Sequence, residues 1–146
     1  MTNEIIKGIA AALNEKFGSG YEVYAEDIPQ GFTEPCFSIV LLLSENAAKL
    51  PNRYLRRNRF DVHYFPKSDL RAKSEMRSVA ESLFLTLEYI NVLDNLCRGT
   101  KMSYEIIDGV LHFIVNYDMY IVKEKVEEPN METLEQTSTL EENNGS

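Results

Sequence analysis

The side chains that could do chemistry here are few, and their spacing limits what they could do. A zinc-type centre needs three or four His, Cys, Asp or Glu groups converging, yet His63 and His112 each lack a second ligand at a recognised spacing. His63 reads instead as part of a polar strand face with Arg59 and Asp61, and His112 as a cross-strand partner of Glu105. Cys36 and Cys97 show no CxxC spacing, nucleophile elbow or helix start that would generate a thiolate. They read as reduced, buried structural residues. The acid pairs Glu26-Asp27 and Glu127-Glu128 are adjacent in sequence, which does not hold two carboxylates across a substrate. No GxGxxG or GxxxxGK[ST] phosphate cradle occurs. The expectation is a non-enzymatic protein with no catalytic, cofactor-binding or metal residue.

One concentration of charge remains. Arg53, Arg56, Arg57 and Arg59, with Tyr54 among them, run against a chain whose net charge is −8. Arginine and tyrosine are enriched where proteins meet, so the five residues are candidate interface residues, with a solvated loop as the plain alternative and a nucleic-acid contact as a third. If copies form a ring, the cluster repeats around it and a modest patch becomes a strong field.

These residues must be positioned by one domain, since 146 residues leave no room for a second core. An apolar fraction of 44% suffices to bury that core. No apolar run reaches membrane-span length, and the start lacks the grammar of a signal peptide, so a cytoplasmic protein is expected. Residues 123–146 hold seven acids against two lysines, which is −5 of the −8, and almost no apolar residues. They read as a disordered acidic tail on a domain of residues 1–122. The acidic balance opposes sequence-specific DNA binding by the monomer.

Along the domain, Thr2 or Asn3 is placed to cap a helix carrying Ile5, Ile6, Ile9, Leu13 and Phe17, with Gly18 and Gly20 as its stop. Residues 21–25 alternate as a strand. Residues 36–43 are apolar on both faces and predict a central strand covered from two sides. Residues 44–58 show no period, while Phe60, Val62 and Tyr64 alternate with Arg59, Asp61 and His63; two strands joined by a long, exposed, irregular hairpin arm are expected. Ser68 or Asp69 is placed to cap a second helix, whose stripe is Met76, Val79, Ala80, Leu83, Phe84, Leu87 and Ile90. A short irregular or strand-like stretch then runs through Leu96. Asp108-Gly109 predicts a two-residue hairpin turn. It puts Ile106 opposite Leu111, Tyr104 opposite Phe113, Met102 opposite Val115, Glu105 opposite His112 and Lys101 opposite Asn116. The order α-β-β-β-α-β-β predicts an α+β domain, a mainly antiparallel sheet against two helices with a projecting hairpin arm.

Five stretches carry a resemblance: Ile5-Ile6-Lys7-Gly8-Ile9 with Leu13, Glu34-Pro35-Cys36-Phe37, Asn52-Arg53-Tyr54, residues 60–66 and residues 102–113. In order and spacing they resemble the tail-terminator family of phages and prophages of Gram-positive bacteria, over residues 2 to 122. The resemblance implies a structural subunit that forms a ring, commonly a hexamer, at the head-proximal end of the virion tail. Its partners would be further copies of itself, the tail-tube protein and the head-tail connector protein, with no membrane and with DNA passing through the lumen. No family active site exists to carry over. A head-completion or connector protein of the same virion, and a small host binding module or an enzyme with an unrecognised site, stand as alternatives.

Because residues 123–146 have little apolar surface to offset the entropy of ordering, truncation after Val122 is expected to leave the melting temperature nearly unchanged. A fall of many degrees in a thermal scan would show that this segment docks on the domain.

Overall fold

The computed structural model describes residues 1–25, 28–67 and 69–122. The acid pairs Glu26-Asp27 and Glu127-Glu128, the cap candidate Ser68 and the acidic tail lie outside them. The first helix, α1 (Thr2–Phe17), buries Ile5, Gly8, Ile9 and Leu13 at the expected spacing. It starts one turn ahead of its apolar stripe. Met1, rather than Thr2 or Asn3, is its N-cap: the Met1 carbonyl accepts from the Glu4 and Ile5 amides at 3.1 Å, and no side chain caps it. Gly18 ends the helix at φ 83° and donates to the Asn14 carbonyl at 3.0 Å.

The second helix, α2 (Ala72–Thr86), has Arg71 at its N-cap, so Asp69 does not cap it. Its first turn is tied down by Glu75, whose carboxylate accepts from the Lys67 amide at 2.8 Å and from the Tyr64 hydroxyl. Met76, Val79, Ala80 and Leu83 form the buried stripe, and Leu87 closes the helix. Ile90, read as the end of that stripe, is buried in a strand instead.

Between and after the helices come β1 (Glu22–Tyr24), β2 (Cys36–Leu50), β3 (Arg53–Phe65), β4 (Tyr89–Val92), β5 (Asn95–Ile107) and β6 (Val110–Val122). They form one six-stranded sheet in the order β1-β2-β3-β6-β5-β4, antiparallel except for β1 on β2. The α+β architecture holds, with β4 as an additional strand in the stretch before Leu96. It exists because Leu93 and Asp94 both take positive φ and fold a tight hairpin into β5. The two middle positions belong to β3 and β6, so the 36–43 segment is not central.

Both helices pack on one face of the sheet. That face carries Phe37 and Ile39 of β2, Phe60, Val62 and Tyr64 of β3, and Leu111, Phe113, Val115 and Tyr117 of β6, all essentially inaccessible. Phe84 meets Phe113 edge-on at 5.0 Å, and Phe17 meets Phe37 at 4.9 Å. The 36–43 run is covered from two sides only at its start. Beyond Val40 it emerges: Leu41, Leu42 and Leu43 are 39%, 50% and 41% exposed.

Asp108 and Gly109, at φ 51° and 77°, make the expected turn, and Ile106, Tyr104 and Glu105 face Leu111, Phe113 and His112 as read from the sequence. The register then breaks. Lys101 takes φ 51° within a shift between Thr100 and Ser103, so Thr100 rather than Lys101 faces Asn116, and Met102 is not paired with Val115.

Two glycines mark where backbone meets backbone. A Cβ on Gly8 would stand 2.5 Å from the Asn91 carbonyl oxygen, which lets α1 sit flush on β4. On Gly99 it would stand 2.5 Å from the Leu87 carbonyl oxygen and 2.9 Å from Val115. That carbonyl also accepts the Tyr117 hydroxyl at 2.6 Å. Gly99→Ala is therefore expected to destabilise by about 1–3 kcal/mol, lowering the melting temperature by several degrees. Gly20→Ala, where a Cβ meets open space, should scan like wild type; equal melting of the two variants would contradict this packing.

Candidate functional site

Beyond Phe60 and Tyr117 the buried core ends, but the ladder continues. Residues 43–50 of β2, 53–58 of β3 and 118–122 of β6 pair as a three-stranded arm, with one register shift between Ala48 and Leu50. The expectation of an irregular arm is corrected: β2 and β3 are continuous strands joined at Pro51-Asn52, and the arginines stand on β3 itself. What hides this is mixed polarity: along residues 43–58 apolar, polar and charged side chains follow one another without the alternation that marks a half-buried strand.

Strand periodicity divides the cluster between two faces. Arg53, Arg57 and Arg59 share one face with Leu43, Leu55 and Tyr120, whereas Tyr54 and Arg56 share the other with Met119 and Ile121. Arg57 pairs with Glu45 at 3.7 Å, both roughly half exposed, so this surface pair adds little stability. Arg59 donates to Asn116 Oδ1 at 3.2 Å and Arg56 donates to Asn46 Oδ1. Among the described residues Arg53, Arg56 and Arg59 have no carboxylate in ion-pair range. The arm therefore carries surplus positive charge beside exposed apolar groups, Tyr120 at 63% and Val122 at 65%.

The flanks of the sheet are open. β1 covers only Cys36, Phe37 and Ser38 of β2, and β4 covers only residues 95–98 of β5. Among the described residues no strand lies against β2 over 39–50 or against β5 over 101–107. Each offers a row of unpaired backbone donors and acceptors, and the β2 row is flanked by Leu41, Leu42 and Leu43. The stretch 40–43 of the β2 edge, apolar and without charge, is what a further strand pairs with.

On the face away from the helices the β3–β6 register sets His63 opposite His112, with Asp61 two residues from His63. Asp61 Oδ2 stands 3.0 Å from both His63 Nε2 and His112 Nδ1. The expected pairing of His112 with Glu105, and of His63 with a separate polar face, is corrected here. Glu105 does face His112 across β5 and β6, but the imidazole bonds to Asp61. Burial alone would raise the Asp61 pKa; the hydrogen bonds and charges of the two imidazoles outweigh it and hold the carboxyl below its ordinary range. The alternation of β3 signalled that Asp61 and His63 share a face. Nothing local signalled that β6 would lie beside it.

Cys36 and Cys97 are free and buried. Burial, with Glu34 and Glu22 nearby, pushes the Cys36 thiol up to about 11, and burial with Asp118 nearby raises that of Cys97. Neither is a nucleophile at neutral pH. Folded protein is expected to resist thiol reagents at pH 8, whereas denatured, unreduced protein should titrate two thiols; rapid labelling of the folded chain would place a cysteine at the surface.

Among the described residues no helix is long and apolar enough to cross a membrane. No curated protein gives a significant match to the chain. Among 21 matching chains of solved structures, one aligns at a TM-score of 0.43 and 16% identity, over 87% of this chain and 99% of its own. The family model for phage tail terminator proteins matches residues 4–129, from α1 past the end of β6. That match takes in nearly the whole folded domain, and the chain belongs to the phage tail terminator family, structural proteins of the virion tail.

Proposed function

We propose that the protein assembles as a closed ring, six-membered by the family resemblance, which caps the head-proximal end of the tail tube, stops tube polymerisation and offers its other face to the head connector. The observation that carries this reading is the pair of unpaired edges, on β2 and on β5, at opposite sides of one sheet. Pairing the β2 edge of one copy with the β5 edge of the next is a heterologous contact, and a heterologous contact that closes makes a ring. Closure removes both edges from solution. It also buries the exposed leucines of β2, whose surface supplies the hydrophobic part of the association.

The arginine-bearing arm fits a different part of the task. Repeated around a ring, Arg53, Arg57 and Arg59, which share one face of the arm, form a continuous basic band that faces the tube or lines a lumen through which DNA passes, with Tyr120 supplying contact area beside it, while Arg56 and Tyr54 present the opposite face to a neighbour. Assembly takes place in the host cytoplasm before the tail meets the head.

Two variants separate these roles. Leu41→Lys with Leu43→Lys places charge along the β2 edge, a device that blocks edge pairing. It should leave circular dichroism and melting near wild type, abolish rings in mass photometry, and yield overlong or headless tails in electron micrographs. Arg53, Arg56 and Arg57 changed together to serine should melt close to wild type, since exposed side chains usually contribute within about 0.5 kcal/mol each. Rings should form, but tail completion should fail. Normal rings from the lysine variant together with normal virion titres from both would sink the reading.

A further inference from the structure

We propose that Asp61, His63 and His112 form a site for a single zinc-class divalent ion. Oδ2 of Asp61 lies 3.0 Å from Nε2 of His63 and from Nδ1 of His112. All three ligand atoms lie within 4.8 Å of one another. Donors held at roughly 2.0–2.2 Å around such an ion stand about 3 to 3.5 Å apart, so two sides of the triangle already have the required length.

The ligands are held by structure that does not move with them. They project from β3 and β6, whose opposite faces carry Phe60, Val62, Tyr64, Leu111 and Phe113 in the core. The outer sides of the imidazoles remain partly open to solvent, at 22% and 25% exposure. An ion can therefore enter and keep an exchangeable position.

A second observation points to a missing partner. Among the described residues, Oδ1 of Asp61 is buried and has no hydrogen-bond partner, an arrangement that costs free energy unless something uses the oxygen. Beside it lies a cavity of about 250 Å³ lined by Asp61, His112, Ser103, Glu105 and Ile114. It has room for water ligands, and Glu105, directly opposite His112, can turn in as a fourth protein donor.

The donor set selects the ion. Two imidazoles and one carboxylate suit zinc, cobalt, nickel or copper, whereas magnesium and calcium prefer all-oxygen shells. Binding replaces two N–H···O bonds: each neutral imidazole turns a lone pair to the ion and carries its proton on the far nitrogen, Nδ1 of His63 and Nε2 of His112. The bound ion would cross-link the two middle strands.

The test uses metal-stripped full-length protein titrated with zinc by calorimetry in a background of magnesium, and with cobalt by visible spectroscopy. One ion per chain is expected, with a melting temperature that rises with zinc concentration. His63→Gln and His112→Asn each keep an N–H directed at Asp61, so metal-free melting should stay near wild type while zinc affinity falls at least about tenfold. The wild-type chain has two histidines, and the ring proton signals of both should shift or broaden when cobalt is added. Absence of stoichiometric binding, equal affinity in wild type and both variants, or unperturbed histidine signals would overturn the assignment.

Discussion

The interaction on which the rest depends is the antiparallel register of β3 against β6, running from Arg53 opposite Val122 to Tyr64 opposite Leu111. These strands occupy the middle of the sheet, so their register sets the faces of everything paired outside them. A slip of one residue would send Phe60, Val62 and Tyr64 to the polar face and bring Asp61 and His63 under the helices. The cost of burying those charges beneath two apolar helix stripes rules out the slipped arrangement. The same register assembles the core on one side and the Asp61, His63 and His112 group on the other. These are two results of one alignment.

Asn58 marks the boundary between core and arm. It is fully buried on the helix face, where its Oδ1 accepts from Ser44 at 2.8 Å and its Nδ2 donates to the Tyr117 carbonyl at 3.0 Å. One side chain thereby ties β2, β3 and β6 together just past the β2 irregularity between Leu41 and Leu43. Each bond contributes on the order of 1 kcal/mol net, but breaking one leaves a buried amide unsatisfied. The arm is thus anchored by polar bonds at its base, where the apolar core can no longer hold it.

What was legible in the sequence follows from how local each signal is. Both helices, the Asp108-Gly109 turn and the register from Ile107 back to Ser103 are short-range consequences of periodicity and turn chemistry, and the structure contains them. β4 was obscured because Leu93-Asp94 is a weak turn signal beside an Asn-Gly or Asp-Gly pair, so Ile90 was absorbed into the preceding helical stripe. The register past Thr100 failed because Lys101 adopts positive φ, a conformation no lysine advertises. The arm is hidden by its mixed polarity, although β2 and β3 meet directly at Pro51-Asn52. The histidine pair is hidden for a deeper reason: it comes from pairing between β3 and β6, which a whole helix separates in sequence, and no turn fixes that register in advance. The side chains with chemical potential were visible singly; their meeting was a property of topology.

The topology also leaves a tension that the proposed association would resolve. A sheet with two edge stretches unpaired among the described residues, one of them flanked by three exposed leucines, invites open-ended pairing, and proteins ordinarily suppress this with charge, proline or a covering segment. Here β2 carries Val40 through Leu43 at its unpaired stretch with no charged residue among them. Such an edge is tolerable in a protein whose neighbours occupy it, provided the pairing closes on itself instead of propagating. Curvature between successive copies decides between ring and filament, and the proposed ring answers it with closure. In the proposed ring, a subunit that completes its own lateral pairing leaves no edge with which to recruit more of itself.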